Sequence, residues 1–302
     1  MNIKKITAAI AALAVSVTAV SVTAFGVETK VPITEKYFPD KNFREYVKQF
    51  DTDENSFLSQ KERDAVTEID VCDSEIKSVT GIKYFQNLEK LCCSYNSLTK
   101  LDVSGNIKLE RLYCDYNALT KLDVSRNTKL FKLECSYNKL KRLDVSKNAE
   151  LSELCCCDNK LTELDVSKNT GLEVLNCVYN NIAALDVSQN TELGSLGCGG
   201  NRLTDIDVSQ NAKLSQFFCG DNKLTRLDIG KNLKLRELDC GYNSLTKLDV
   251  SKNTLLNFLY CGNNRLTELD LSGCTELTYY NCDESVKVNE PDGYEYIEFD
   301  IC

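Results

Sequence analysis

The chain contains no histidine, no tryptophan and a single methionine, the first residue. Without an imidazole there is no Ser–His or Cys–His nucleophile pair, no His-ligated zinc and no imidazole proton shuttle, which removes much hydrolytic and metal-assisted chemistry. Basic charge is also short. The 36 Lys and Arg stand against 45 Asp and Glu, a formal net charge of −9, so neither a nucleic acid nor an anionic membrane surface is expected as partner. What is present in the 302 residues is a globular composition, 42% apolar and 27% charged, with 16 cysteines.

Residues 1–24 carry Lys4 and Lys5, an apolar and Thr/Ser stretch, and then Val22-Thr23-Ala24, which fits a small-x-Ala cleavage site. This reads as a secretory signal peptide; the alternative is an uncleaved membrane anchor, because the apolar stretch is rather long. Cleavage predicts a secreted, extracellular protein with no membrane insertion afterwards.

The remainder is organised by a repeat. Leucine recurs at Leu88, Leu109, Leu130, Leu151, Leu172, Leu193, Leu214, Leu235, Leu256 and Leu277, a spacing of 21 with no insertion over ten units. The unit is clearest from Leu109 to Asn127, where Leu109, Leu112, Cys114, Asn117 and Leu119 are followed by Leu122, Asp123, Val124, Ser125 and Asn127. The alternation Leu112-x-Cys114 makes a short strand with two side chains inward, and only a copy of itself above and below can bury that face. Because the second half of the unit nearly copies the first, a second short extended segment is expected on the other side of each coil. The reading is therefore a β-solenoid of about ten 21-residue coils, with a parallel sheet plus a second extended face. The half-unit L-x-x-L-x-C-x-x-N-x-L resembles the leucine-rich repeat signature over about 220 residues. The expected organisation is a signal peptide at 1–24, a helical cap at 25–65, leucine-rich repeats at 66–284 and a C-terminal cap at 285–302.

The ladder cysteines, from Cys93 to Cys282 in steps of 21, are expected as buried thiols and not a disulfide framework. In-register neighbours have side-by-side Cβ vectors that suit a disulfide poorly, and cysteine buries readily as a small hydrophobe. The Asn96–Asn264 series is expected to satisfy loop backbone. The Asp102–Asp270 series needs cations or local backbone donors to offset its self-repulsion.

Residues 33–65 do not fit the repeat. Apolar Phe43, Tyr46, Val47 and Phe50 stand at helical spacing behind Asp40, and an EF-hand-like loop follows. Asp51, Asp53, Asn55 and Ser59 supply side-chain oxygens, Phe57 a carbonyl and Glu62 the bidentate carboxylate, so one Ca2+ site is expected. Ser56 stands where the sharp turn normally takes glycine. Ser59-x-x-Glu62 is also a helix capping box, which is compatible with the metal reading. A single such loop does not support a duplicated dockerin module.

Outward positions of each coil carry the candidate partner surface. Aromatics gather late, at Phe218, Phe258, Tyr260 and Tyr279, beside a column of Gly199, Gly220, Gly241 and Gly262. The competing reading is drift within a scaffold. Together the repeat, signal and cap resemble secreted bacterial leucine-rich repeat proteins of the internalin-like kind. That resemblance implies a non-catalytic binding scaffold, a monomer that recognises a protein or glycan at or beyond the cell surface. Two alternatives are a calcium-dependent structural component of a surface assembly and a thiol-dependent effector using Cys92, Cys155 or Cys157, which stand outside the ladder.

Overall fold

The computed structural model describes residues 30–293. The expected signal peptide lies outside them, as do the last residues of the expected C-terminal cap.

The chain opens with β1 (Val31–Pro32), then α1 (Lys41–Val47), a short 3-10 turn over Lys48–Phe50, β2 (Phe57–Leu58) and α2 (Gln60–Asp64). Asp40 caps α1 by accepting from the N–H of Phe43, and Ser59 and Glu62 form a reciprocal capping box on α2. Phe38, Phe43, Val47 and Leu58 are buried from this cap into one core continuous with the coils. That continuity closes the end of the solenoid, where the first coil would otherwise leave its apolar interior open.

From there each coil contributes one three-residue strand: β3 (Glu68–Asp70), β4 (Lys90–Cys92), β5 (Arg111–Tyr113), β6 (Lys132–Glu134), β7 (Glu153–Cys155), β8 (Val174–Asn176), β9 (Ser195–Gly197), β10 (Gln216–Phe218), β11 (Glu237–Asp239) and β12 (Phe258–Tyr260). After β13 (Glu268–Asp270), which lies on the other side of its coil, come β14 (Tyr279–Asn281) and β15 (Lys287–Asn289). Strands β3 to β12 and β14 form an eleven-stranded parallel sheet in sequence order, with every coil in register with the next. The central residue of each strand from Ile69 to Leu259 is buried, and the flanking residues face outward.

Three stacked columns hold the coils. Ladder cysteines Cys93 to Cys261 are free and buried, and desolvation raises the pKa of every one of them, to about 12 for Cys198. The Asn96–Asn264 series does what the spacing predicts. Asn138 donates to the carbonyls of Cys114, Cys135 and Ser136 while accepting from Leu119 N–H. A further column, Asn106 to Asn253, is fully buried and donates to two carbonyls of the preceding coil, as Asn127 does to Val103 and Asn106.

The second face is extended but, among the described residues, pairs as sheet only at Asp102 with Asp123 and at β13 with β15. Each ladder aspartate turns its carboxylate onto the N–H two residues on, as Asp144 does with Ser146 at 2.9 Å, and the chain then turns away at Val145. These contacts do most to offset the repulsion, with a smaller contribution from nearby cations such as Lys147 and Lys168. The Ser146 hydroxyl and N–H hold the Asp144 carboxyl below its ordinary range, and Asp165 is treated likewise by Ser167.

Candidate functional site

In the cap loop, carboxylate oxygens of Asp51, Asp53 and Glu62 lie within 4.8 Å of one another. Asp51 accepts from the N–H groups of Asn55 and Ser56 at 3.1 and 2.7 Å, and Ser56 adopts φ 65°, the left-handed turn that glycine would take at lower cost. Asn55 Oδ1 accepts from Phe57 N–H, and Phe57 pairs in β2 with Pro32. Glu62 is buried, and burial opposes its charge. Hydrogen bonds from the N–H and hydroxyl of Ser59 and of Thr52 outweigh that burial and hold its carboxyl at about 2, so it is ionised at neutral pH. An ionised carboxylate held beside two more, with an amide and a hydroxyl in the same loop, is an all-oxygen donor set that suits a hard divalent cation.

The thiols expected as alternatives for chemistry are differently placed. Cys92 is bonded to Cys72 in a disulfide with a Cα–Cα distance of 5.6 Å, so it is not a free nucleophile. The pairing joins adjacent coils along a diagonal. Cys72 follows β3 while Cys92 ends β4, so the side-by-side geometry of the in-register ladder does not apply. At Cys155 burial, with Cys157 and Glu134 adding to it, pushes the thiol up to about 12, and burial also raises Cys157. Both carry their protons at neutral pH, the opposite of what nucleophilic catalysis requires.

The outer face of the sheet divides in two at the seventh residue of each coil, counting Leu109 as a first residue. From β4 to β7 the N–H at this position is met by a side chain of the coil before. Ser94 donates to Cys72 Sγ, Asp115 to Ser94 Oγ, Ser136 to Asp115 Oδ1 and Cys157 to Ser136 Oγ, at 2.7 to 3.2 Å. Charges in this half are also matched, with Lys132 between Glu134 and Glu153 at 3.1 and 2.5 Å and Lys90 on Glu68. On the rim beside it Tyr95, Tyr116 and Tyr137 stack at 4.3 and 4.1 Å between ring centroids.

The relay ends at Cys157: the next seventh residue, Val178, donates to Asn176 Oδ1 of its own coil at 3.4 Å, and from Gly199 onward the column is glycine. No side chain remains to serve as acceptor, and among the described residues the N–H groups of Gly199, Gly220 and Gly262 meet no protein acceptor; Gly241 donates to Asp239 of its own coil. These glycines do not have positive φ. They are glycine because the space is used. A Cβ on Gly241 would lie 2.3 Å from the Tyr260 ring, one on Gly220 2.7 Å from Asp239 Oδ1, one on Gly262 2.5 Å from Asn281 Oδ1 and one on Gly199 2.9 Å from Gly220 O.

Here lies a groove of about 340 Å3 lined by Phe218, Phe258 and Tyr260 and by Gly199 and Gly220, together with Tyr179, Tyr242, Asp221 and Asp239. The structure thus gathers five of the eight residues expected for partner binding. Tyr279 stacks on Phe258 at 5.1 Å outside the lining, and Gly241 and Gly262 lie beneath Tyr260 and Asn281. Tyr179, Tyr242 and Asp239 were not anticipated. The recurring Tyr-Asn pair at Tyr95, Tyr116, Tyr137, Tyr179 and Tyr242 was the available clue, and it marks a rim position whose backbone is left-handed in every one of those coils.

No family model matches the chain. A stretch of 71 residues is 43% identical to internalin J of Listeria monocytogenes, covering 23% of this chain and 8% of that protein. The solved functional domain of internalin J, which includes a cysteine ladder, is 37% identical with a TM-score of 0.73, over 88% of this chain and 64% of that domain. Internalin F of Listeria monocytogenes, 21% identical with a TM-score of 0.56 over 87% of this chain and 94% of that one, shares the fold. The chain therefore spans less than two thirds of the internalin J domain it matches. In its 21-residue coil, its buried cysteine column and its solenoid, the chain has the leucine-rich repeat fold and is similar to the internalin J domain.

Proposed function

We propose that the protein is a secreted, non-catalytic binding scaffold acting at or beyond the bacterial surface, and that the groove over β9 to β12 receives its ligand, a protein or a glycan. The observation that carries this is the break in the seventh-residue relay. The first half of the sheet satisfies its own backbone and charges, whereas the second half presents unmet N–H groups, an unpaired carboxylate and aromatic rings in one concavity. Among the described residues no helix is long and apolar enough to cross a membrane. The test is capture of ligands from host and bacterial surface extracts by wild type and by the pair Phe218→Ser and Tyr260→Ser, with circular dichroism as the folding control. Unchanged capture by the folded variants rejects the groove.

A second reading concerns the cap. The left-handed Ser56 and the convergence of Asp51, Asp53 and Glu62 favour one Ca2+ tying the two cap helices together, with Asn55, Phe57 and Ser59 completing the donors. A calcium-dependent rise in melting temperature that chelator reverses and Asp51→Asn abolishes supports it. Calcium-dependent self-association in sedimentation would extend it to a structural role in a surface assembly, and its absence keeps the ion as a monomer's staple.

A further inference from the structure

Resting on the binding-scaffold reading, we propose that the groove recognises a lysine- or arginine-bearing segment of a protein partner, with the cationic head on Asp239. Asp239 stands at the fifth position of its coil, half-buried, and its one hydrogen bond comes from Gly241 N–H to Oδ1 at 3.0 Å. No Lys or Arg lies within ion-pair distance among the described residues. Elsewhere on the same face the carboxylates are more fully met, since Glu134 and Glu153 share Lys132 and Asp115 accepts from both Ser136 N–H and Ser94 Oγ. A half-buried carboxylate without a cation is an incomplete arrangement, because the one hydrogen bond from Gly241 offsets only part of its desolvation. Desolvation accordingly raises its pKa.

The surroundings specify what completes it. Asp221 adds a second negative charge to the lining, which contains no basic residue, and the chain as a whole is at −9, so the field favours a cation approaching this concavity. Phe218, Tyr242 and Tyr260 supply ring surface for the aliphatic stem of a lysine or the plane of an arginine. The N–H of Gly220 faces the place where a side chain of Gly199 would begin, with 3.5 Å from that point to the nitrogen. A free amine would leave this donor unused. A peptide brings a main-chain carbonyl to the N–H and a cationic side chain to Asp239, so it uses both features at once. The donor and the carboxylate are together the reason for choosing a basic peptide over a small quaternary amine.

The probe is a fluorescein-labelled peptide of alternating lysine and glycine, with glutamine and glutamate counterparts, measured by anisotropy at physiological salt. Binding of the lysine peptide and not the other two is expected. Asp239→Asn weakens it at least tenfold, while Asp165→Asn, which removes the same charge from the opposite side of the coil, changes it less than twofold. Asparagine already stands at the fifth position in Asn176 and Asn281, so the Asp239 variant fits its ladder, and a melting curve checks this. Tyr242→Asn, matching Asn263 in both residue and left-handed backbone, weakens binding severalfold. Equal losses for Asp239→Asn and Asp165→Asn would mean diffuse attraction to an acidic protein and overturn the proposal, as would no loss at Asp239. If the lysine peptide fails to bind while surface extracts are still captured in a Phe218- and Tyr260-dependent way, the cationic ligand is wrong and the scaffold stands; oligosaccharide competing for that capture would then point to a glycan. If neither binds, both fall.

Discussion

The coils from Cys72 to Cys157 and those from Gly199 to Gly262 share one fold and one register, yet they end their strands in different ways. In the first group a side chain of each coil closes the backbone of the next, ion pairs span the face and a disulfide joins the first two coils. In the second group the corresponding side chains are missing and the donors, a carboxylate and the rings are left for something else. Nothing in the core distinguishes them, since Leu133 and Leu238, Cys135 and Cys240 are equally buried. The scaffold therefore permits either solution, and the difference lies in three outward positions per coil.

The largest expected effect tests the closed half at its origin. Reducing Cys72–Cys92 opens a loop with a sequence separation of 20, and on loop entropy this removes about 3 kcal/mol from the coils it staples. Because coils couple mainly to neighbours, hydrogen exchange should quicken around Val71 to Cys93 and stay unchanged around Gly241. Uniform quickening would mean that the two halves unfold as one unit and would end the distinction in energetic terms.

Next in size is Ser136→Ala. It leaves the buried N–H of Cys157 without its acceptor, at a cost of about 2 kcal/mol in urea denaturation, the scale of an unsatisfied buried donor. A cost near zero would make the relay ornamental. The converse experiment sits in the open half. Gly199→Ala forces a Cβ to within 2.9 Å of a backbone oxygen, and Gly199→Ser does the same but offers Oγ to Gly220 N–H. The serine variant should be the more stable of the two by about 1 kcal/mol, and it should weaken ligand capture by filling the groove.

Much of this was legible in the sequence because a repeat states its constraints ten times. Leu109, Leu112 and Cys114 define a strand, Asn117 its loop and Asp123 the return, and the structure places each as the spacing requires. The absence of sheet on the second face was not legible, since Leu122-x-Val124 has the same alternation as Leu112-x-Cys114. The Asx-turn recurs at Asp102, Asp123 and Asp270, which pair, as well as at Asp144 and Asp165, which do not, so neither it nor the alternation marks which segments form sheet. The Cys72–Cys92 bond was hidden because reasoning about register considers partners directly opposite, and this pair is diagonal. Of the groove, the aromatic and glycine columns were readable as composition. The unmet N–H of Gly220 and the isolation of Asp239 depend on what neighbouring coils do not supply.

The smallest effect is the sharpest discriminator, because its sign differs between halves. Burial raises the folded pKa of Asp239 above the unfolded value of 3.8, so the folded state holds its proton more tightly than the unfolded one. Stability is then lost as pH rises from 3.8 through the folded pKa, and at neutral pH the ionised carboxylate is a burden. Asp239→Asn should accordingly raise the melting temperature at pH 7, by the equivalent of no more than ~1 kcal/mol, and the gap should close below pH 3.8, where both carboxyls are protonated. Asp115 is also raised by burial, but its two oxygens accept from Ser136 N–H and Ser94 Oγ, and Asp115→Asn exchanges one acceptor for a donor. That variant should show no gain at pH 7. A gain at both positions would mean that the closed half bears its carboxylate as poorly as the open one. A gain at Asp239 that the lysine peptide abolishes, by stabilising wild type alone, would tie the instability of the empty groove to the ligand that fills it.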